Sequence, residues 1–232
     1  MTYLVCVKVM IYNFYMNSPL EYKRNKLHFD DHCLETITQG IPTPFYLYSG
    51  HTLKLNYESF MEAAKKANIN HPLVCFAMKS NSNTHLLKIL AKLGSGADIV
   101  SLGELNRALK AGIKPNKIVF SGVGKTRLEI HSALKCSTEG IYAFNVESLE
   151  ELEMINEEAK KLNKVARVSF RLNPQVQAKT HKHISTGYKT HKFGILKEDI
   201  ISSLTKRKYW KNAKLVGLSI HIGIQLSCLK AT

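Results

Sequence analysis

Between residues 73 and 222, short apolar runs alternate with amphipathic stretches, and this alternation constrains the fold more than any other feature of the chain. The apolar runs at 73–78, 97–100, 118–120, 141–146, 165–172 and 215–222 read as strands. The stretches at 84–93, 101–111, 126–135, 148–162 and near 198–206 read as helices, with Gly94 and Gly112 as stops for the first two. Three of them open on a capping-box pattern: Ser101/Glu104, Thr126/Glu129 and Ser148/Glu151. Each box follows a strand directly and so marks a β-to-α junction. Repeated βα units of this length imply an α/β fold, with a parallel sheet and helices outside it. Two architectures remain open, a doubly wound sheet and a (β/α)8 barrel. Six strands suffice for the first and make three quarters of the second.

One junction carries a lysine. Val74-Cys75-Phe76-Ala77-Met78 runs straight into Lys79 and then into the polar Ser80-Asn81-Ser82-Asn83. The apolar run is expected to be a fully buried strand, with Lys79 at its carboxyl end, where barrels build their active sites. A lysine there is costly to bury unless it is paired, deprotonated or covalently used. Three roles are open: a salt bridge, anion binding, or a Schiff base with an aldehyde cofactor.

The other strand ends are polar too. They carry Asp98, then Ser121-Gly122-Val123-Gly124-Lys125, Asn145 and Glu147, Arg171-Leu172-Asn173-Pro174, and His221-Ile222-Gly223. The Ser121–Lys125 stretch lacks phosphate-loop spacing and is expected to be a tight turn before the Thr126 cap. Singly, each residue has a structural explanation. Together, a lysine, an arginine and a histidine at the ends of strands of one sheet would line one mouth.

Upstream, residues 45–48 are expected to form a strand after Pro42-Thr43-Pro44. Residues 51–70 are expected to form a helix through Leu53, Tyr57, Phe60, Ala64 and Ala67. Residues 1–15 are apolar and β-prone, too short to span a bilayer and interrupted by Lys8. No signal peptide is expected there, and Met16 is an alternative start.

The net charge of +15, from 33 Lys and Arg against 18 Asp and Glu, raises the question of a nucleic-acid partner. The basic residues are spread along the chain with no recognised nucleic-acid motif, so anionic small ligands are the better expectation. The segment at 179–192 (KTHKHISTGYKTHK) would suit an anion-attracting lid. No carboxylate joins its histidines at ligand spacing, so no metal is expected. The five cysteines show no C-x-x-C spacing, which argues against a zinc site and a disulfide scaffold and fits a reducing cytoplasm.

Taken in order, these residues resemble the diaminopimelate decarboxylases, pyridoxal-phosphate enzymes of the alanine-racemase-like fold. The matching stretches include Thr43-Pro44-Phe45-Tyr46-Leu47-Tyr48, Ala77-Met78-Lys79-Ser80-Asn81, Asn145-Val146-Glu147-Ser148, Arg171-Leu172-Asn173-Pro174, Lys192-Phe193-Gly194 and His221-Ile222-Gly223. The resemblance implies a (β/α)8 TIM-type barrel binding pyridoxal phosphate, here holding about six βα units. Its N-terminal strand and helix would belong to or border a second β domain. It divides the chain into a lead-in at 1–40 and a barrel domain at 41–232. It implies that Lys79 holds the cofactor as a Schiff base, that His221 stacks on the pyridine ring, and that Arg171 approaches the ring's hydroxyl edge. Asp98 and Gly223 would belong to the cofactor shell, and Ile184, Ser185 and Thr186 would lie near substrate.

The implied reaction is decarboxylation of meso-2,6-diaminopimelate to L-lysine and carbon dioxide, by a homodimer. Decarboxylases of ornithine, arginine or carboxylated polyamines share the lysine and histidine. A single-domain pyridoxal-phosphate carrier, or a non-catalytic remnant, would share the fold. Two departures from the family stand out. Ile224 occupies a position where the family carries serine, and the family continues for well over a hundred residues. If these 232 residues are the whole product, poor solubility and no useful decarboxylation are expected, because two parallel sheet edges would be open.

Overall fold

The structure, a computed structural model, describes residues 19–175, 193–205 and 210–221. It opens on a three-stranded antiparallel sheet of β1 (Leu20–Lys23), β2 (Lys26–Phe29) and β3 (His32–Cys33), in that order. Two-residue turns join the strands, Arg24-Asn25 and Asp30-Asp31, with φ of 50°, 60°, 48° and 68°. Tight hairpins need positive φ at both turn positions, which Asn and Asp tolerate best. Asn25, Asp30 and Asp31 are the local hairpin signals in this lead-in stretch.

A short α1 (Leu34–Ile37) follows, then the long α2 (Gly50–Lys66), started by Ser49, whose hydroxyl accepts from the Thr52 N–H at 2.8 Å. The helix ends short of residue 70 because Asn68 turns left-handed, at φ 54°. Residues 45–48 do not form the expected strand. They run without a ladder and largely exposed, Tyr46 stacking on Tyr48 at 6.3 Å. β-prone side chains make no strand where no neighbouring backbone is offered.

From there the chain alternates as expected. Strands β4 (Cys75–Ala77), β5 (Gly96–Ile99), β6 (Ile118–Phe120), β7 (Ala143–Val146), β8 (Ala166–Leu172) and β9 (Ala213–Ile220) are separated by five helices. These are α3 (Thr84–Leu93), α4 (Leu102–Lys110), α5 (Arg127–Lys135), α6 (Leu149–Lys161) and α7 (Lys197–Thr205). The six strands pair in sequence order, every pair parallel. A doubly wound sheet reverses its order at a switch point. This sheet does not, and it is an arc of a (β/α)8 barrel.

Within the described residues β4 is the edge of that arc. This overturns the expectation that it is fully buried: all three of its residues are half-buried, because it has a neighbour only at β5.

The core lies between sheet and helices. Ala97, Ile99, Ile118, Phe120, Phe144, Val146, Val168 and Phe170 face Leu87, Leu105, Ile130, Leu134, Leu152 and Ile155, all essentially sealed from water. Phe120 and Phe144 stack at 6.1 Å within it. Gly96 is needed where β5 passes its neighbours. A Cβ there would sit 2.3 Å from the Lys117 carbonyl oxygen and 2.7 Å from Cys75 Sγ.

The three expected capping boxes behave differently. Ser101, Thr126 and Ser148 all accept from the N–H of the glutamate three residues on. Only Thr126/Glu129 is reciprocal. Glu104 turns instead to the Val100 N–H, and Glu151 to Lys125. Both carboxylates found a competing partner that the sequence pattern does not register.

On the outer surface, Glu158 of α6 collects Lys161 at 2.6 Å, Arg127 at 3.2 Å and His131 at 3.5 Å. The Lys161 ammonium, helped by Arg127 and His131, holds its carboxyl below the usual carboxylate range despite burial. A depressed carboxyl stabilises the fold above its unfolded pKa and loses that contribution as pH falls through the folded value. The stability gap between the parent and Glu158→Gln, measured by urea unfolding, should therefore narrow as pH falls below 4.5 and vanish in stronger acid.

Candidate active site

Parallel pairing puts all six strand ends on one rim, and the residues there alternate faces with a period of two. Asp98 on β5, Ser121 after β6, Asn145 and Glu147 on and after β7, Arg171 on β8, and Ser219 with His221 at the end of β9 all project to the side away from the helices. With Ile220 they line one small cavity of about 40 Å³, open to solvent at the strand ends.

The cavity is wired by two hydrogen-bonded chains. In the first, Asn145 Nδ2 donates to Ser121 Oγ at 2.9 Å, and the Ser121 hydroxyl donates to Asp98 Oδ1. In the second, Arg171 Nη1 donates to both oxygens of Glu147, at 2.7 and 3.0 Å. The Glu147 side chain is 2% exposed and that of Arg171 15%, so neither charge has much water to fall back on. The Phe193 ring covers the guanidinium from another side, 5.2 Å from Cζ. The Phe193 segment is itself tied to β8, through Ile195 N–H to the Arg171 carbonyl at 2.7 Å and Asn173 N–H to the Ile195 carbonyl at 2.9 Å. Gly194, at φ 80°, lets the two backbones meet, since a Cβ would lie 2.9 Å from the Arg171 oxygen.

Lys79 stands two residues beyond the end of β4. Its predecessor Met78 enters the helix-side core, while Lys79 itself is exposed in a turn. Ser80 closes that turn on the Ala77 carbonyl, through its N–H at 3.1 Å and its hydroxyl at 2.7 Å. Asn83 then caps α3 by accepting from the His85 N–H at 2.9 Å. Ala77 is the register partner of Asp98, so the lysine turn and the Asp98 chain begin on neighbouring strands.

Of the residues singled out from sequence, Asp98, Arg171 and His221 come together in the cavity lining. Gly223, Ile184, Ser185, Thr186 and Ile224 lie outside the described residues. Asn145, Glu147 and Ser121 were seen at strand ends but given no role, and Ser169 and Ser219 were overlooked. A signal for them was present: Asn145/Glu147, Ser169/Arg171 and Ser219/His221 are polar pairs two apart at the ends of otherwise apolar strands. In strands expected to be buried on both faces, that spacing marks the inner one.

Among the described residues, three buried polar atoms have no hydrogen-bond partner, Asn145 Oδ1, Ser169 Oγ and Ser219 Oγ. Buried polar atoms are rarely left unsatisfied without a reason. Two of them belong to residues lining the cavity. They sit beside the Arg171–Glu147 ion pair, Asp98 and His221, a donor and acceptor set suited to a polar ligand.

Comparison with known families finds a match over most of the chain. The pyridoxal-dependent decarboxylase, pyridoxal binding domain, matches residues 56–231. The chain belongs to the pyridoxal-dependent decarboxylase family. Among curated relatives, the diaminopimelate decarboxylase of Aquifex aeolicus is 43% identical over 213 residues, covering 90% of this chain and 48% of the relative. That of Haemophilus influenzae is 45% identical over 210 residues, covering 90% and 49%. Among solved structures, the diaminopimelate decarboxylase of Helicobacter pylori complexed with L-lysine superposes with a TM-score of 0.79 at 45% identity, covering 85% of this chain and 48% of that one. The M. jannaschii enzyme in co-complex with L-lysine gives 0.80 at 38% identity, covering 91% and 49%. The chain thus spans about half the length of these decarboxylases, and the part it shares is the pyridoxal-binding domain.

Within this pyridoxal-binding domain the Arg171–Glu147 pair is largely buried, so loss of one partner leaves the other charge uncompensated. Breaking one half of a buried pair costs about 3–5 kcal/mol. Glu147→Ala should lower unfolding stability by an amount in that range, and urea titration of parent and variant checks it.

Proposed function

We propose that this chain is the cofactor-binding portion of a diaminopimelate decarboxylase, converting meso-2,6-diaminopimelate to L-lysine and carbon dioxide. The observation that carries the reading is the cavity of Asp98, Arg171–Glu147 and His221 at the strand ends, beside the Lys79 turn, in a chain similar to diaminopimelate decarboxylases. Two of the similar solved structures are complexes with L-lysine, which supports that product class.

Pyridoxal phosphate suits the donor set. Lys79 would hold it covalently through the ε-amine, and Arg171, His221, Asp98 and Gly223 would hold it non-covalently. Bound there, it supplies an electron sink for the carbanion left when carbon dioxide departs. The chain's own residues do the rest. Arg171, fixed by Glu147 and by the Phe193 ring, presents a cation that cannot swing away from an anionic oxygen. Asp98 accepts the Ser121 hydroxyl proton at Oδ1. His221, at the rim, offers an imidazole face. Ile184, Ser185 and Thr186 would contact substrate. The separate β1–β3 sheet supports a boundary between a lead-in at 1–40 and the barrel portion at 41–232. A homodimer working in the cytoplasm completes the proposal. No helix among the described residues is long and apolar enough to cross a membrane.

Borohydride reduction in the presence of pyridoxal phosphate, followed by peptide mass spectrometry, should label Lys79 in the parent and label nothing in Lys79→Ala. Carbon dioxide release from diaminopimelate, set against ornithine and arginine, fixes the substrate. Labelling without release from any of the three, in protein at its native length, would reduce it to a cofactor carrier. Absence of labelling in the parent would refute the proposal.

A further inference from the structure

A buried lysine lies just outside the cavity. Lys125 ends the Ser121-Gly122-Val123-Gly124-Lys125 turn, and its side chain is 1% exposed. All three of its ammonium protons have acceptors: the Gly122 carbonyl at 2.7 Å, the Asn145 carbonyl at 2.8 Å and Glu151 Oε1 at 2.7 Å. Glu151 lies in the first turn of α6 with 7% of its side chain exposed, and its other oxygen accepts from the Glu147 N–H at 3.4 Å. The ion pair therefore grips the β7 end twice, once at the carbonyl of Asn145 and once at the N–H of Glu147.

Those two residues are the roots of the two chains that line the cavity. Asn145 leads through Ser121 to Asp98, and Glu147 holds Arg171. Burial pushes the Glu151 carboxyl upward and the Lys125 ammonium pulls it back, so the pair is held at a cost. Replacing a buried ion pair by packed apolar side chains is often neutral or stabilising. Stability therefore gives no reason to keep this one, whereas a locked outer layer behind a binding site does.

We propose that Lys125 and Glu151 are positioning residues, setting the strand end that aims Asp98 and Arg171 at the cofactor. The proposal rests on the pyridoxal-phosphate reading of the cavity and adds the pair that preorganises it. Neither residue touches the cavity. Both act through the backbone of the 145–147 segment.

The test compares the parent, at its native length, with the double variant Lys125→Met/Glu151→Leu and with Glu151→Gln. The double variant removes both charges, so its urea midpoint should stay close to the parent's. Its Kd for pyridoxal phosphate, from absorbance titration, should nevertheless rise about tenfold, the low end of what losing an outer-layer partner costs a metal site. Glu151→Gln keeps an acceptor for Lys125 but is held to one geometry by it, and its Kd should rise at least threefold. In ligand-free protein, the NMR signals of the Arg171 Nη protons, slow and resolved while Glu147 holds them, should average in the double variant. A double variant with the parent's Kd and the parent's Arg171 signals would overturn the proposal. Should the double variant not fold, Glu151→Gln decides by the same Kd threshold and the same signals. A parent that binds no pyridoxal phosphate sinks the cofactor reading instead, and the Arg171 signals alone then uphold or overturn the positioning role.

Discussion

Everything at the site depends on one constraint, the parallel pairing of six strands in the order in which they occur in the chain. Parallel strands joined by helices all point the same way, so their carboxyl ends share one rim. Residues far apart in sequence, from Asp98 to His221, arrive there together. The helices supply the other half of the constraint. They cover one face of the sheet with apolar side chains, which leaves the opposite face to carry polar groups without competition from the core.

That opposite face is not an oily interior. Asp98, Asn145 and Glu147 are all nearly sealed from water. Burying such groups is tolerable only when each finds a partner. The structure answers with short chains of donors and acceptors and with two ion pairs, Arg171–Glu147 inside the cavity and Lys125–Glu151 behind it. The unsatisfied oxygens of Asn145, Ser169 and Ser219 are where that answer stops. Two of them, on Asn145 and Ser219, belong to residues lining the cavity, which leaves it ready to bind a polar group.

The domain's margins contrast with its middle. At β9 Leu218 and Ile220 are 53% and 50% exposed, whereas Phe120, Phe144 and Phe170 in the central strands are sealed. The difference lies in neighbours rather than in residue type. An apolar side chain on a barrel strand is buried by the helix laid over it, and the central strands have theirs on both sides. The chain spans about half the length of the decarboxylases it resembles.

Much of this was legible from the residues alone. The apolar runs, the glycine stops and the Ser/Thr caps located the βα units because strand length, helix stop and cap are local chemistry. Arg24-Asn25 and Asp30-Asp31 encoded the hairpin turns, and Lys79, Asp98, Arg171 and His221 stood out as polar residues where strands end. Other expectations failed for reasons no local pattern contains. Residues 45–48 had strand composition but no neighbour among the described residues to pair with. Glu104 and Glu151 had capping-box spacing but stronger partners elsewhere.

The sequence by itself determined the elements, their direction and the chemical kinds of residue at each strand end, because these follow from side-chain spacing and turn preference. Only the tertiary structure decided that the strands form an unreversed arc, that Glu147 holds Arg171, and that Lys125 and Glu151 meet across 26 residues behind the cavity. Those contacts join segments whose separation along the chain carries no information about their distance in space. They exist because buried charges take the partner that packing brings within reach.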